Sequence, residues 1–304
     1  MAVVWGLVAG FCWGLSVVFS RAPIRALGSQ TVLVVDMLLG AVALSLLMLL
    51  SGEFTRLLAE PYLVGWALAI LATTINGFAN VMLYRAIEIG VLSTVTPISS
   101  TYAAFVVVIA LVTGDSLTMP QIVGIVFSLI GIVLVMPRTM APSTVDDVTL
   151  IRDPAMPDPT HHHARLGALS ALGAALSYGV GFWILGFKVT PILGSVAPIW
   201  VGRFTSLGVA LLIGLGDSPR ITQIRAHGWH LWVLLIASIA TGIFAYIANN
   251  SGYQTGEIAV VSVLASLYSP IAVFLAAIFF RERLQRLQWF GLGAIFAGVV
   301  LVSG

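Results

Sequence analysis

Ten apolar runs, each near the roughly 20 residues needed to cross ~30 Å of hydrocarbon, take up most of this 304-residue chain. They lie near 3–20, 31–50, 62–84, 89–112, 120–136, 166–187, 195–215, 231–252, 258–280 and 287–303. In lipid every backbone N–H and C=O must be satisfied within the protein, so runs of this kind read as helices. Only 9% of residues are charged and 59% are apolar, against about 25% charged in soluble domains. Lipid is therefore the solvent for most of the surface. The first run, Val3 to Phe19, lacks a positive flank and a small-residue cleavage site. It reads as a membrane helix rather than a removable signal.

A polar, Pro- and Asp-rich stretch, 137–165, divides the ten expected spans five and five. It reads as a linker between a first unit, 1–136, and a second, 166–304. Its His161, His162 and His163 have no other Cys or His at ligand spacing, so an incidental polar tract is favoured over a metal site. The single cysteine, Cys12, excludes a disulfide within the chain. The net charge of +2 comes without a basic run, which gives nucleic acid no footprint.

The two units are copies. Shifted by 169 positions, Asn80, Tyr84, Glu88, Ser93, Ser100 and Phe105 fall on Asn249, Tyr253, Glu257, Ser262, Ser269 and Phe274. Gly6, Gly10 and Gly14 fall on Ala171, Ala175 and Gly179, and Trp13 falls on Tyr178. Gln121, Gly124 and Gly131 likewise match Gln288, Gly291 and Gly298. Small residues every fourth position let helix backbones approach closely in lipid, so the glycines read as packing sites. An odd number of spans per unit makes the second unit enter the membrane inverted. Charge agrees, because equivalent loops differ in sign preference. The loop after the ninth span carries Arg281, Arg283 and Arg286, whereas its counterpart after the fourth carries no Lys or Arg. Outside the linker, Arg21, Arg25, Arg85, Arg220, Arg225 and those three lie on one side, against Arg56 and Lys188 on the other. By the positive-inside rule both termini lie outside the cytoplasm.

These features together resemble the drug/metabolite transporter superfamily, in its EamA-type branch. The motifs that carry the resemblance are the small-rich first span ending in Trp13-Gly14, and Tyr84-x-Ala86-Ile87 entering the fourth. The second unit adds the run from Val261 to Pro270, then Glu282 followed by Gln288 and Gly291. Asp115, Arg281 and Thr101 depart from the usual pattern at the ends and middle of these spans. The resemblance implies an all-α integral membrane protein of ten transmembrane helices in two inverted five-helix repeats. It also implies a central cavity lined by spans one to four and six to nine, with alternating access as one half rocks against the other. Its expected solutes are small metabolites, foremost exported amino-acid-like compounds, with organic cations or nucleobase-like compounds as the alternative. Expected surroundings are a lipid bilayer, the prokaryotic inner membrane, with the chain acting as a monomer and without cofactor. Members commonly keep their termini in the cytoplasm, opposite to the charge count.

The residues expected to carry transport are polar or aromatic groups held deep in apolar spans. Asn80 and Asn249 come first, because an unpaired amide in hydrocarbon must face a helix, water or solute. Asn76 extends the same stripe, and Tyr84 sits four residues from Asn80 on one face. Arg203 lies inside the seventh span and offers bidentate binding to a carboxylate. Asp36 lies near the end of the second span and reads as snorkelling. Inversion would set it near the opposite face, so it is not expected to pair with Arg203. Trp13, Tyr102, Tyr178, Trp183, Tyr246 and Tyr268 lie deep enough to wall a pocket, whereas Trp5, Tyr62, Trp66, Trp229, Trp232 and Trp289 read as interface anchors. Glu88 and Glu257 read as solvated loop carboxylates at the starts of spans four and nine.

An intramembrane enzyme is the rival class, but HExxH, G-x-S-x-G and P-loop motifs are all absent from the sequence. Uptake into proteoliposomes separates the two: a carrier delivers its solute chemically unchanged, and recovery of a modified product would identify an enzyme instead.

Overall fold

The computed structural model describes residues 1–59, 62–90, 92–114, 117–135, 161–214, 228–279 and 286–303. All regular structure in them is helical. In the first unit the elements are α1 (Ala2–Leu27), α2 (Ser29–Leu50), a short α3 (Glu53–Ala59), α4 (Leu63–Ile89), α5 (Leu92–Ser100), α6 (Tyr102–Val112) and α7 (Met119–Val135). The second has α8 (His161–Ile184), a π-helical turn at Leu185–Val189, α9 (Thr190–Leu193), α10 (Ala197–Ile213), α11 (Trp229–Tyr253), α12 (Ile258–Ser266), α13 (Tyr268–Phe279) and α14 (Arg286–Ser303). Among the described residues, seven helical segments are long and apolar enough to cross a membrane. Three shorter apolar helices, Met119–Ile132, Ala197–Ile213 and Trp289–Leu301, stand where the fifth, seventh and tenth spans are expected. The chain is thus an all-α, multi-pass integral membrane protein.

Several boundaries differ from the sequence expectation, each for a local reason. The first span continues past 20 to Leu27, carrying Pro23 within it, and stops where Gly28 takes φ +84°, a left-handed value that costs glycine nothing. The third continues to Ile89, so Glu88 lies inside a helix rather than a loop, where it accepts a hydrogen bond from Ser29 Oγ. Helix α8 starts at His161, five residues before the expected 166. The fourth and ninth spans are each broken, at Thr101 and Leu267. Pro97 and Pro270 cannot donate to the helical ladder, and nearby backbone bonds tighten to the third residue, as in Thr101 N to Ile98 O and Leu267 N to Leu264 O. At the π-turn, Pro191 again lacks a donor. The Thr190 hydroxyl replaces it by donating to Leu185 O at 2.5 Å and Gly186 O at 3.2 Å. Asp115, Arg281 and Glu282 fall outside the described residues.

The glycine stripes act as packing surfaces. A Cβ at Gly10 would sit 2.7 Å from Leu264 O, and one at Gly14 would sit 2.7 Å from Ile271 Cγ2. Helix α1 therefore lies against α12 and α13, while α8 lies in the same way against α5 and α6, with Gly179 pressed on Phe105. Helix α1 also packs along α11, and α8 along α4. Helices α7 and α14 pair with each other, Gly131 against Ile295 and Gly298 against Gly124. Helices α2 and α10 pair antiparallel, with Gln30 Nε2 donating to Ala210 O at one end and Trp200 Nε1 donating to Ser45 Oγ toward the other.

Replacing Gly10 by Val should lower stability by about 1–3 kcal/mol through overpacking against backbone. At Gly208 a Cβ meets nothing within 4 Å, so Gly208→Ala should leave the unfolding temperature equal or higher. Thermal unfolding of the purified protein checks both. Equal effects at the two positions would contradict the packing assignment.

Candidate functional site

Between these helices lies a cavity of about 110 Å³, measured as the space open to water centres. One water needs about 10–15 Å³ on that measure, so the space suits several waters or one small metabolite. Its wall is a set of helical stripes. Helix α1 contributes Trp13, Ser16, Val17 and Ser20; α4 contributes Thr73, Asn76, Asn80, Leu83, Tyr84 and Ile87. Helix α11 contributes Gly242, Tyr246 and Asn250, four residues apart, which is the spacing of one helix face. Asp36 and Met37 come from α2, and Pro198, Ile199, Gly202, Arg203 and Ser206 from α10, with Tyr178 and Leu185 completing the wall.

Its electrostatic centre is a buried ion pair. Arg203 Nη1 donates to Asp36 Oδ1 at 2.8 Å, and Tyr84 Oη donates to Asp36 Oδ2 at 2.6 Å. The two charged side chains are only 5% and 12% exposed. Among the described residues these are the only two charged groups in the wall. This overturns the expectation that Asp36 snorkels and stays apart from Arg203. The reason lies in helix length. Asp36 is seven residues, about 10 Å, from the start of α2, and Arg203 is ten residues, about 15 Å, from the end of α10. Those two ends lie on the same side because the helices are antiparallel, and the long arginine side chain spans the difference. Gly40 makes the space: a Cβ there would sit 2.8 Å from Arg203 Nε.

A second polar group lies beside the first. Tyr178 Oη donates to Asn80 Oδ1 at 2.6 Å, and Asn80 Nδ2 donates to Ser206 Oγ at 3.4 Å. The Tyr246 hydroxyl lies near Asn80 and Tyr178 without a well-formed hydrogen bond to either. Trp13 meets Tyr246 edge-on at 5.1 Å and Phe182 at 5.6 Å, and Phe182 stacks on Tyr178 at 5.4 Å. The cavity therefore has a charged corner, an amide and phenol corner, and an aromatic floor.

Of the sequence candidates, Trp13, Asn76, Asn80, Tyr84, Tyr178, Arg203 and Tyr246 line this cavity together. Tyr102, Trp183, Asn249 and Tyr268 do not. Among the described residues the expected lining from spans four and nine is absent, because the small-residue stripes of α1 and α8 bring those helices in front of them. Tyr102 and Tyr268 instead brace spans four and nine together, through Ser262 O at 3.3 Å and Ser99 Oγ at 2.5 Å. Trp183 is five residues beyond Tyr178, which turns it away, and it donates to Thr113 Oγ1 at 3.2 Å. Asn249 is fully buried. The Tyr253 hydroxyl approaches its amide without a well-formed hydrogen bond. Its neighbour Asn250, about 100° around the helix, lines the cavity and donates to Ser195 O at 3.0 Å.

Sequence reasoning missed Asp36 as a wall residue, along with Ser16, Ser20, Thr73, Ser206 and Asn250. The spacing of Trp13, Ser16 and Ser20, and of Gly242, Tyr246 and Asn250, was the available signal. Among the described residues no group of three or more His, Cys, Asp or Glu gathers as a metal site would. The side chains of His161, His162 and His163 lie outside what is described.

Comparison with known proteins matches residues 1–136 and 165–304 to the EamA-like transporter family. A crystal structure of a protein 15% identical superposes with a TM-score of 0.70, covering 99% of this chain and 96% of that one. At that identity the likeness concerns the fold alone. No curated protein matches the chain. The fold, the polar cavity enclosed by apolar helices and the family match over both units agree: the chain belongs to the EamA-like transporter family, and is a membrane transporter rather than an enzyme.

Proposed function

We propose that the chain carries small, amino-acid-like metabolites outward across a prokaryotic inner membrane by alternating access through this cavity. The observation that carries the reading is the cross-unit wall: Asp36 and Tyr84 from the first unit meet Arg203 from the second, deep in an otherwise apolar bundle. Ionisable groups held inside a membrane protein mark solute pathways. The aromatic floor suits an apolar side chain, and the charged corner suits a zwitterionic head.

The arrangement of ten spans as two inverted five-helix repeats, 1–136 and 166–304 about the linker 137–165, is supported by exchanged packing partners. Span one packs on spans eight and nine, while span six packs on spans three and four. Spans two and seven pair with each other, as do five and ten. Every one of these relations maps onto another when the units are swapped. They also favour a particular pair of moving bodies, in which each unit's first span travels with the other unit's third and fourth. The organic-cation alternative loses ground, because Arg203 already neutralises the carboxylate that would hold a cation.

Radiolabelled counterflow in proteoliposomes, run over a panel of amino acids, tests the reading. Gly202 lines the cavity and a Cβ there meets only Thr73, at 3.4 Å. Gly202→Phe should therefore fill the cavity and abolish counterflow while the protein still unfolds cooperatively. Intact flux in that variant would remove the cavity from the pathway. Asn80→Ala should raise KM roughly tenfold, on the scale of one or two hydrogen bonds to a bound solute, and lower the unfolding temperature through the bonds lost from Tyr178 and to Ser206. Asn249→Ala should leave KM unchanged, because its amide lies outside the cavity.

A further inference from the structure

The geometry points to Asp36 as the residue that sets charge selectivity, a tethered carboxylate that competes with the solute for Arg203. The inference rests on the reading of this cavity as the pathway. Its basis is a neutral wall. Asp36 and Arg203 are buried and paired at 2.8 Å, and no other charge faces the cavity among the described residues. Both Asp36 oxygens are engaged, one by Arg203 and one by Tyr84. Arg203 is less fully used: only Nη1 has protein partners among the described residues, Asp36 and, weakly, Met37 Sδ at 3.9 Å. A guanidinium has five donors, so Arg203 can accept a second carboxylate.

The net charge of the loaded cavity then decides what fits. A zwitterion adds no net charge: its carboxylate turns to Arg203 while its ammonium replaces what Asp36 loses, and one buried pair becomes two. A simple anion would leave one negative charge uncompensated in a low-dielectric site, and a simple amine one positive charge. Uncompensated buried charge is strongly unfavourable. Asp36 therefore excludes simple anions by occupying the one cation they could use, Arg203 excludes simple amines by occupying the one carboxylate, and Tyr84 holds Asp36 in place for that task. The exclusion is selectivity by an unfavourable alternative rather than by an extra attraction.

Three solutes of nearly one shape test this: leucine, isopentylamine and 4-methylpentanoate. Binding is read as stabilisation against thermal unfolding of the purified full chain, with counterflow as the second readout. The wild type should respond to leucine and to neither of the others. Asp36→Asn is isosteric and can still bond Tyr84 and Arg203, and it should gain affinity for 4-methylpentanoate by about tenfold or more relative to leucine, the ratio that 1.4 kcal/mol represents. Arg203→Gln should shift the preference toward isopentylamine. The double variant, neutral again, should lose both gains, which separates charge from damage to packing. Unchanged preference in Asp36→Asn, equal gains for both ions, or an identical response of all the proteins to the three probes would overturn the assignment. If Gly202→Phe abolishes flux while the preference in Asp36→Asn stays that of the wild type, this assignment fails and the pathway reading stands. Flux that persists in Gly202→Phe defeats the pathway reading itself.

Discussion

An arginine 4% exposed inside an apolar helical bundle is tolerable only with an anion against it, and this requirement organises the centre of the molecule. Arg203 sits on α10 and its partner Asp36 on α2, so the pair fixes the register of two helices whose end contacts run antiparallel. Gly40 must lack a side chain where the guanidinium lies. Tyr84 must arrive from α4 to take the second carboxylate oxygen. Removing one member of such a pair leaves an unpaired buried charge, a loss of about 3–5 kcal/mol in soluble proteins. The pair therefore ties the two sequence units together at the cavity. The proposed selectivity follows from the same fact, since a solute carboxylate meets an arginine that is already partly satisfied.

Close backbone packing does the rest of the positioning. The small-residue stripes of α1 and α8 let each helix lie against a broken span, α12–α13 or α5–α6, and present its opposite face to the cavity. The breaks at Thr101 and Leu267 fall beside hydroxyl-rich segments, where Ser99 Oγ meets Tyr268 Oη and Ser262 serves Tyr102 and Tyr253. A tyrosine cluster thus closes the space behind the wall, and Phe182 joins it to the wall through Tyr102 and Tyr178. The cavity is enclosed by helices that are themselves held from behind.

Much of this was legible in the sequence because hydrocarbon is an intolerant solvent. Runs of about 20 apolar residues had little alternative to helix, and deep polar groups such as Asn80, Tyr178 and Arg203 had to face something other than lipid. Glycines four apart forecast a close helix contact along α1, and the structure supplies its partners, α12 and α13. Less legible was anything that depends on helix register and length. Asp36 looked peripheral because its depth was counted on one helix alone, whereas its partner's depth depends on where the shorter α10 ends. Asn249 looked like the twin of Asn80, yet a helix face is set by 100° steps, and the cavity-facing stripe on α11 runs through Gly242, Tyr246 and Asn250. Tyr102, Trp183 and Tyr268 were deep in sequence but behind or beside the wall in space. Depth along a span is readable from a sequence, whereas azimuth requires knowing what each face packs against.

Under the proposed alternating access, this cavity is reached in turn from the two sides of the membrane. Ser16 lines it and is only half-buried, and Cys12 is the one native thiol. In a Cys12→Ala background, Ser16→Cys reconstituted in one orientation can be challenged with a membrane-impermeant thiol reagent from either side. Alternating access predicts modification from both sides, slowed by a transported solute and followed by loss of flux. Modification from a single side, at a rate indifferent to solute and with flux intact, would contradict it.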